Sequence, residues 1–161
     1  MTTNAPVKID RKTMKALTRE AIERAFVARG CTTEQKTAGA VKYTPISLAG
    51  SDQRLAAIYG SKGGAASVWI KEETWAALRA HVTPATCRVE DVDLFGRGFQ
   101  WAVHFNAHDD PLIQTVADIA VECGEARWER AQARRKADAR RAVVRAEREA
   151  EMQKRKRDPF A

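Results

Sequence analysis

The stretch that decides the fold is FGRGFQWAVHF, Phe95 to Phe105. After two glycines, large apolar side chains alternate with smaller or polar ones. Successive side chains of a β-strand point to opposite faces. One face would then carry Phe99, Trp101, Val103 and Phe105. Burying such side chains stabilises a fold by roughly 1.5–3 kcal/mol each, so the stretch predicts the return strand of a hairpin with this face in the core.

The same stretch partly fits the octamer with which RNA-recognition domains stack bases. Four places of that octamer are filled here by Arg97, Gly98, Phe99 and Trp101. In the octamer, however, the stacking aromatics are exposed. If the aromatics of this stretch were exposed in the same way, Gln100 and His104 would be buried on the other face of the strand. That arrangement exposes large apolar groups and buries polar ones, and both changes are unfavourable. We therefore predict core packing for the aromatics and an outward surface formed by Arg97, Gln100 and His104.

Working outward, the chain has the signals of an α+β protein. Asp10 is a plausible N-cap for a helix ending near Arg29, and Asp110-Pro111 is a strong start for another. Between them, a two- to three-turn helix, KEETWAALRAH, separates short strand-like segments, while TTEQKTAGA is polar and indicates a loop. We predict a small antiparallel sheet of about five short strands, packed by an N-terminal and a C-terminal helix.

One glycine-rich turn, GSKGGA at 60–65, invites comparison with a phosphate-binding loop. In such a loop the lysine follows the second glycine and a helix comes next. Here Lys62 precedes the glycine pair and a strand-like segment, SVWI, follows. A hairpin turn in which glycine supplies a positive φ is therefore the better interpretation.

Charge divides the chain at Gly124. From Gly124 to the end there are 13 Lys and Arg against seven Asp and Glu, while the first 123 residues hold 15 and 14. Ala, Arg, Lys, Glu and Gln, all good helix formers, dominate the second part. We predict a compact domain over 1–123 and a projecting basic, Ala/Arg-rich helical extension over 124–161, with Gly124 interrupting the preceding helix.

The basic extension is the strongest functional signal. Cationic side chains that neutralise phosphates release counterions and give salt-sensitive, mostly sequence-independent affinity. We expect an accessory protein without catalysis, bound to DNA, RNA or a ribonucleoprotein. The expected phosphate contacts are Arg127, Arg130, Arg134, Arg135, Lys136, Arg140, Arg141, Lys154, Arg155, Lys156 and Arg157. An acidic protein partner is a further possibility, since the charge pattern suits it as well, and so is a helix that only keeps the protein soluble.

Two other functional classes stay open. The neutral body suits a small regulator or inhibitor of a host machine, of the kind found in phages and plasmids. Alternatively, His104 and His108, followed by Asp109 and Asp110, contain ligand types that a metal-dependent hydrolase uses. Both a Gly-x-Ser-x-Gly nucleophile motif and a deaminase signature are missing, so we expect no cofactor and no metal.

Cysteine and hydropathy patterns bear on the compartment. The cysteines, at positions 31, 87 and 123, are odd in number and widely spaced, which favours reduced thiols, two of them buried. No apolar run reaches the length of a membrane span, and the N-terminal residues lack the apolar segment of a signal peptide. We therefore expect a cytoplasmic protein with no membrane partner.

Overall fold

The computed structural model describes residues 6–158 and 160 of the chain. Three α-helices are present: α1 (Arg11–Val27), α2 (Glu72–Leu78) and α3 (Leu112–Arg157). The strands are β1 (Cys31–Thr33), β2 (Lys36–Ala38), β3 (Val41–Leu48), β4 (Arg54–Tyr59), β5 (Ala66–Ile70), β6 (Arg88–Asp91) and β7 (Trp101–Phe105). Contacts divide the chain into two units, Met1–Glu125 and Ala126–Ala161.

The first unit is built on one antiparallel sheet. Its strands run in the order β1-β3-β4-β5-β7-β6, and β2 pairs with a further part of β3. The predicted α+β class is therefore confirmed. The sheet has seven strands among the described residues rather than about five, because the segment expected to be a loop contains β1 and β2. Both are only three residues long, too short for alternation to be recognised.

Two capping aspartates fix the long helices where the sequence predicts them. Asp10 accepts a hydrogen bond from the backbone N–H of Thr13 at 2.9 Å, and Asp110 accepts one from Leu112 at 2.9 Å. Each bond satisfies a backbone donor that has no partner within the helix. The starts of α1 and α3 therefore depend on hydrogen bonds between near neighbours in the sequence.

The main core lies on one face of the sheet, against α1 and the first turns of α3. Val103 and Phe105 are fully buried there, together with Phe26 from α1 and Val116 from α3. Trp101 packs at the margin of the same cluster. The sequence-based prediction is confirmed for these three residues of β7, and burial of this apolar face supplies the main driving force for folding.

Phe99 belongs to a different cluster from its predicted neighbours. It is 2% exposed but packs on the opposite face of the sheet, with Tyr59, Trp69 and Val92. The prediction of a single core face was wrong here because β7 begins only at Trp101. Gly98 has a φ of 82°, which an L-residue rarely adopts, and this turn takes Phe99 out of the alternation of the strand.

The opposite sheet face is therefore not a simple polar surface. It carries a stack of aromatic rings in which Tyr59 lies 5.3 Å from Tyr43 and 4.0 Å from Trp69, measured between ring centroids. The segment between β6 and β7, which contains a 3-10 turn at Asp93–Phe95, packs against this stack. The hairpin predicted from the sequence is present, with a nine-residue connection at 92–100.

The sequence predicted that Gly124 interrupts the C-terminal helix, and this prediction was wrong. Helix α3 runs from Leu112 to Arg157 without a break. The glycine instead permits close packing of α3 on β4. A Cβ atom at position 124 would overlap the Cδ2 of Leu55 and lie 3.2 Å from its Cγ. A glycine within a helix therefore marks a close approach here rather than an end.

Among the described residues, no helix combines the length and the apolar character that a membrane span requires.

Candidate functional site

The excess positive charge of the protein lies in the second unit. Ala126–Ala161 contains 13 Lys and Arg against six Asp and Glu, whereas Met1–Glu125 contains 15 of each. The first unit is therefore formally neutral, and the second carries the whole net charge of +7. All residues from 133 to 158 are exposed, so the charges of this segment face solvent.

The continuous helix arranges these charges unevenly around its axis. At 3.6 residues per turn, eight of the 13 basic residues project within a sector of about 100°. We call these residues the arginine stripe: Arg127, Arg130, Arg134, Arg141, Arg145, Arg148, Arg155 and Lys156. The same sector contains one acidic residue, Asp138, and the other five acids of the unit project elsewhere. From Arg134 to Arg155 the stripe covers roughly 32 Å along the axis.

Helical geometry thus divides the predicted phosphate contacts into groups. Six of them belong to the arginine stripe, and Arg135 and Arg140 project beside it, one beyond each edge. Lys136, Lys154 and Arg157 project on the opposite side of the helix. Sequence reasoning missed Arg145 and Arg148, because beyond Arg127 and Arg130 it selected only runs of consecutive cations. Spacing of three and four residues, continued from Arg134 and Arg141, is the signal that identifies them.

Some of the cationic side chains of this unit interact with other side chains of the same helix. Arg155 pairs with Glu151 at 2.8 Å, and Asp138 lies 3.8 Å from Arg141. Both are exposed pairs one helical turn apart, which contribute little to stability. Arg135 places its guanidinium 5.6 Å from the ring centroid of Trp128, so this indole is already engaged within the helix.

In the first unit, the predicted outward surface separates into three distinct environments. Arg97 lies over the aromatic stack, 5.1 Å from the ring centroid of Tyr59 and 5.5 Å from that of Trp69. Gln100 accepts a hydrogen bond from the backbone N–H of Glu72 at 3.0 Å, which links the residue before β7 to the start of α2. Only His104 is part of a cluster of functional groups.

His104 lies in the middle of a hydrogen-bonded chain. Its Nδ1 is 2.6 Å from the Oγ of Ser61, and its Nε2 is 3.0 Å from an Oε of Glu90. Ser61 comes from the turn after β4, His104 from β7 and Glu90 from β6. A serine, an imidazole and a carboxylate are therefore connected in series. Sequence reasoning missed this arrangement because its members lie in separate strands and turns.

Arg88 completes the polar cluster. Its Nη2 donates to the Oγ of Ser61 at 3.0 Å and to the backbone oxygen of Lys62 at 2.9 Å. Burial lowers the pKa of His104 below its usual value, and the Arg88 charge adds to this effect, while Glu90 opposes it. A lowered pKa favours the neutral imidazole, in which one ring nitrogen accepts a hydrogen bond and the other donates one.

His108 has a different neighbour. Its Nδ1 is 3.4 Å from the Sδ of Met14, at the start of α1. Within 6–158 and 160, no group of three or more His, Cys, Asp or Glu is arranged to hold a metal ion. The two histidines considered for a hydrolase thus have separate partners, a serine and a carboxylate for one and a thioether for the other.

No protein-family model, curated protein or solved structure matches this chain. Its function is therefore argued from the arginine stripe of the second unit and from the Ser61–His104–Glu90 chain of the first.

Proposed function

We propose that the second unit binds the phosphate backbone of nucleic acid through the arginine stripe. The observation that carries this proposal is the concentration of eight cationic side chains in a sector of about 100° on one helix. A solubilising helix has no need of such an arrangement, since charges distributed around the axis serve that purpose equally well. A surface for a polyanion, in contrast, gains from having its cations on one side.

Arginine is also the residue type that suits this role. Its planar guanidinium donates to two phosphate oxygens at once and stays charged at every accessible pH. Seven of the eight stripe residues are arginine. Contacts of this kind depend on backbone charge rather than on bases, so we expect little sequence preference and a strong dependence on salt.

A protein partner is the second candidate, and exposed apolar side chains favour it. Val144 and Met152 lie next to the stripe and are 45% and 60% exposed. Large apolar groups at an exposed site contribute to protein interfaces more than to phosphate contacts. An acidic partner with an apolar centre would fit both features, and its affinity would depend less steeply on salt.

Two matched triple variants test the proposal. The first, Arg134→Gln, Arg141→Gln and Arg148→Gln, removes three charges from the stripe. The second, Lys136→Gln, Lys154→Gln and Arg157→Gln, removes three from the opposite side of the helix. Both lower the net charge equally, so a difference between them reports position rather than total charge. The assay is fluorescence anisotropy with a 20-bp duplex and with a 20-nucleotide single strand, at several salt concentrations.

We expect the stripe variant to lose affinity for both probes. Each phosphate contact contributes about 0.9 to the slope of log K against log salt on duplex DNA, so the slope should become shallower by roughly 2 to 3. The other triple variant should change the slope by less than about 1. Equal effects of the two variants, or unchanged affinity after removal of residues 126–161, would refute the proposal.

A further inference from the structure

The Ser61–His104–Glu90 chain lies on one face of the sheet, at its β6 edge. His104 on β7 pairs in register with Arg88 on β6 and with Ser67 on β5. Glu90 is two residues beyond Arg88, so it projects on the same face. Ser61 reaches this face from the turn that joins β4 to β5. Three neighbouring segments of the fold thus position the three groups independently of one another.

Glu90 determines the direction of the hydrogen bonds among the three residues. A carboxylate can only accept, so the proton of the neutral imidazole is on Nε2, where it donates to Glu90. The Nδ1 of His104 then accepts from the hydroxyl of Ser61. The Ser61 Oγ in turn accepts from the Arg88 guanidinium, which can only donate. This is the protonation state in which an imidazole can act as a general base towards a hydroxyl.

Gly64 provides the space that the Ser61 hydroxyl occupies. A Cβ atom at position 64 would lie 2.5 Å from the Ser61 Oγ and 3.1 Å from the backbone oxygen of Phe105. No side chain is compatible with this approach. The turn between β4 and β5 therefore has a requirement for glycine that goes beyond its conformation.

We propose that Ser61, His104 and Glu90 form a nucleophile, its general base and the carboxylate that orients the base, in a site for acyl transfer from small esters. The proposal is independent of nucleic-acid binding, and it departs from the sequence-based expectation of a protein without catalysis. Nucleophile, base and orienting carboxylate within hydrogen-bonding distance are the recognised geometry of this chemistry, which recurs on unrelated folds.

The reaction proceeds in two balanced steps. The Ser61 Oγ attacks the ester carbonyl carbon while its proton moves to the Nδ1 of His104. Collapse of the tetrahedral intermediate breaks the bond to the leaving alkoxide, which takes that proton and departs as the alcohol. Water then attacks the acyl-serine, passes one proton through His104 back to Ser61, and releases the carboxylic acid. The Arg88 guanidinium, beside the Oγ, supplies positive charge for the developing oxyanion.

Access restricts the substrate to small acyl groups. Ser61 is 7% exposed, whereas Glu90 and Arg88, on the edge strand β6, face solvent. The solvent-facing side of the site is therefore the β6 edge, so a reagent would approach the hydroxyl from there, past the Arg88 side chain. Short, unbranched acyl esters and small organophosphorus reagents fit this description, and long or bulky acyl groups do not.

The test uses the intact protein and dimethyl fluorophosphate, whose methoxy groups are small and unbranched, with mass spectrometry and peptide mapping. We expect one phosphoryl group per chain on Ser61 and none on Ser61→Ala. His104→Gln should label at least about 100-fold more slowly. Glu90→Gln should label about 10-fold more slowly, while Asp91→Asn, a matched change on the same strand, should have no effect. The labelling rate should hold down to about pH 6.5 and fall only below it, since the pKa of His104 is lowered.

Several outcomes would overturn the proposal. A folded wild-type protein that remains unlabelled, or that is labelled at another residue, has no nucleophile at Ser61. Equal labelling rates of wild type and His104→Gln would show that His104 does not act as the general base. If Ser61→Ala does not fold, peptide mapping of the wild type still decides the question. Loss of stability in Ser61→Ala together with an unlabelled wild type would show that the Ser61–His104–Glu90 hydrogen bonds only hold the turn in place.

Discussion

Replacing Gly124 with alanine tests the close packing of α3 on the sheet. A glycine within a helix costs about 1 kcal/mol relative to alanine, so this change would be stabilising if α3 were exposed at this point. In the structure, however, the added methyl group would overlap the Cδ2 of Leu55, whose side chain is 1% exposed. Two opposing effects of known size therefore compete at a single position.

The packing effect should be the larger one. Inserting a methyl group into a well-packed core costs typically 1–3 kcal/mol. Because Leu55 is surrounded by other core residues, it has no solvent-facing side into which it can move, and the cost should approach the upper value. After subtracting the gain in helix propensity, we expect Gly124→Ala to lower the free energy of unfolding by about 1–2 kcal/mol.

Urea denaturation followed by circular dichroism measures this change, with Glu122→Ala as a matched substitution at an exposed position of the same helix. The control should shift the free energy of unfolding by less than about 0.5 kcal/mol. Leu55→Ala alone should cost about 2–5 kcal/mol, and less when combined with Gly124→Ala, because truncation relieves the overlap. A Gly124→Ala protein that is about 1 kcal/mol more stable, with additive double-variant values, would refute the packing argument.

Three further predictions concern stability and thiol chemistry. The folded state lowers the pKa of His104 and favours its neutral form, whereas the unfolded chain takes up a proton on this residue near pH 6.5. The contribution of His104 to the free energy of unfolding is therefore present above that pH and is lost as the pH falls through the folded-state pKa. Chemical denaturation of wild type and His104→Gln at pH 5 and 8 measures this contribution. Burial raises the pKa of both Cys31 and Cys87 to about 11, so native protein should react with a thiol reagent fastest at Cys123, as followed by peptide mapping. Asp110→Ala should cost about 1 kcal/mol by removing the cap of α3, and Asp110→Asn much less, as measured by thermal unfolding.

Features decided by near neighbours in the chain could be predicted from the sequence. The caps at Asp10 and Asp110 were correct because a capping side chain bonds to a backbone N–H two or three residues away. The burial of Val103 and Phe105 was correct because alternation is a property of the strand itself. The α+β class followed from the helical and the strand periodicity of the apolar residues.

Gly124 indicated an interruption, since glycine is a poor helix former. Only the proximity of Leu55 explains its presence inside an unbroken helix. The stripe that includes Arg145 and Arg148 lies beyond Gly124, within the predicted helical extension, so it follows from helical spacing alone.

The sequence by itself determined the helices and five of the seven described strands, the capped helix starts and the location of the net charge, because each depends on residues close together in the chain. The tertiary structure alone decided the second aromatic cluster and the Ser61–His104–Glu90 chain. Glu90 is 29 residues from Ser61 and 14 from His104, and sheet register brings all three together. No pattern of spacing predicts such a meeting, since pairing between distant strands depends on the packing of the whole sheet.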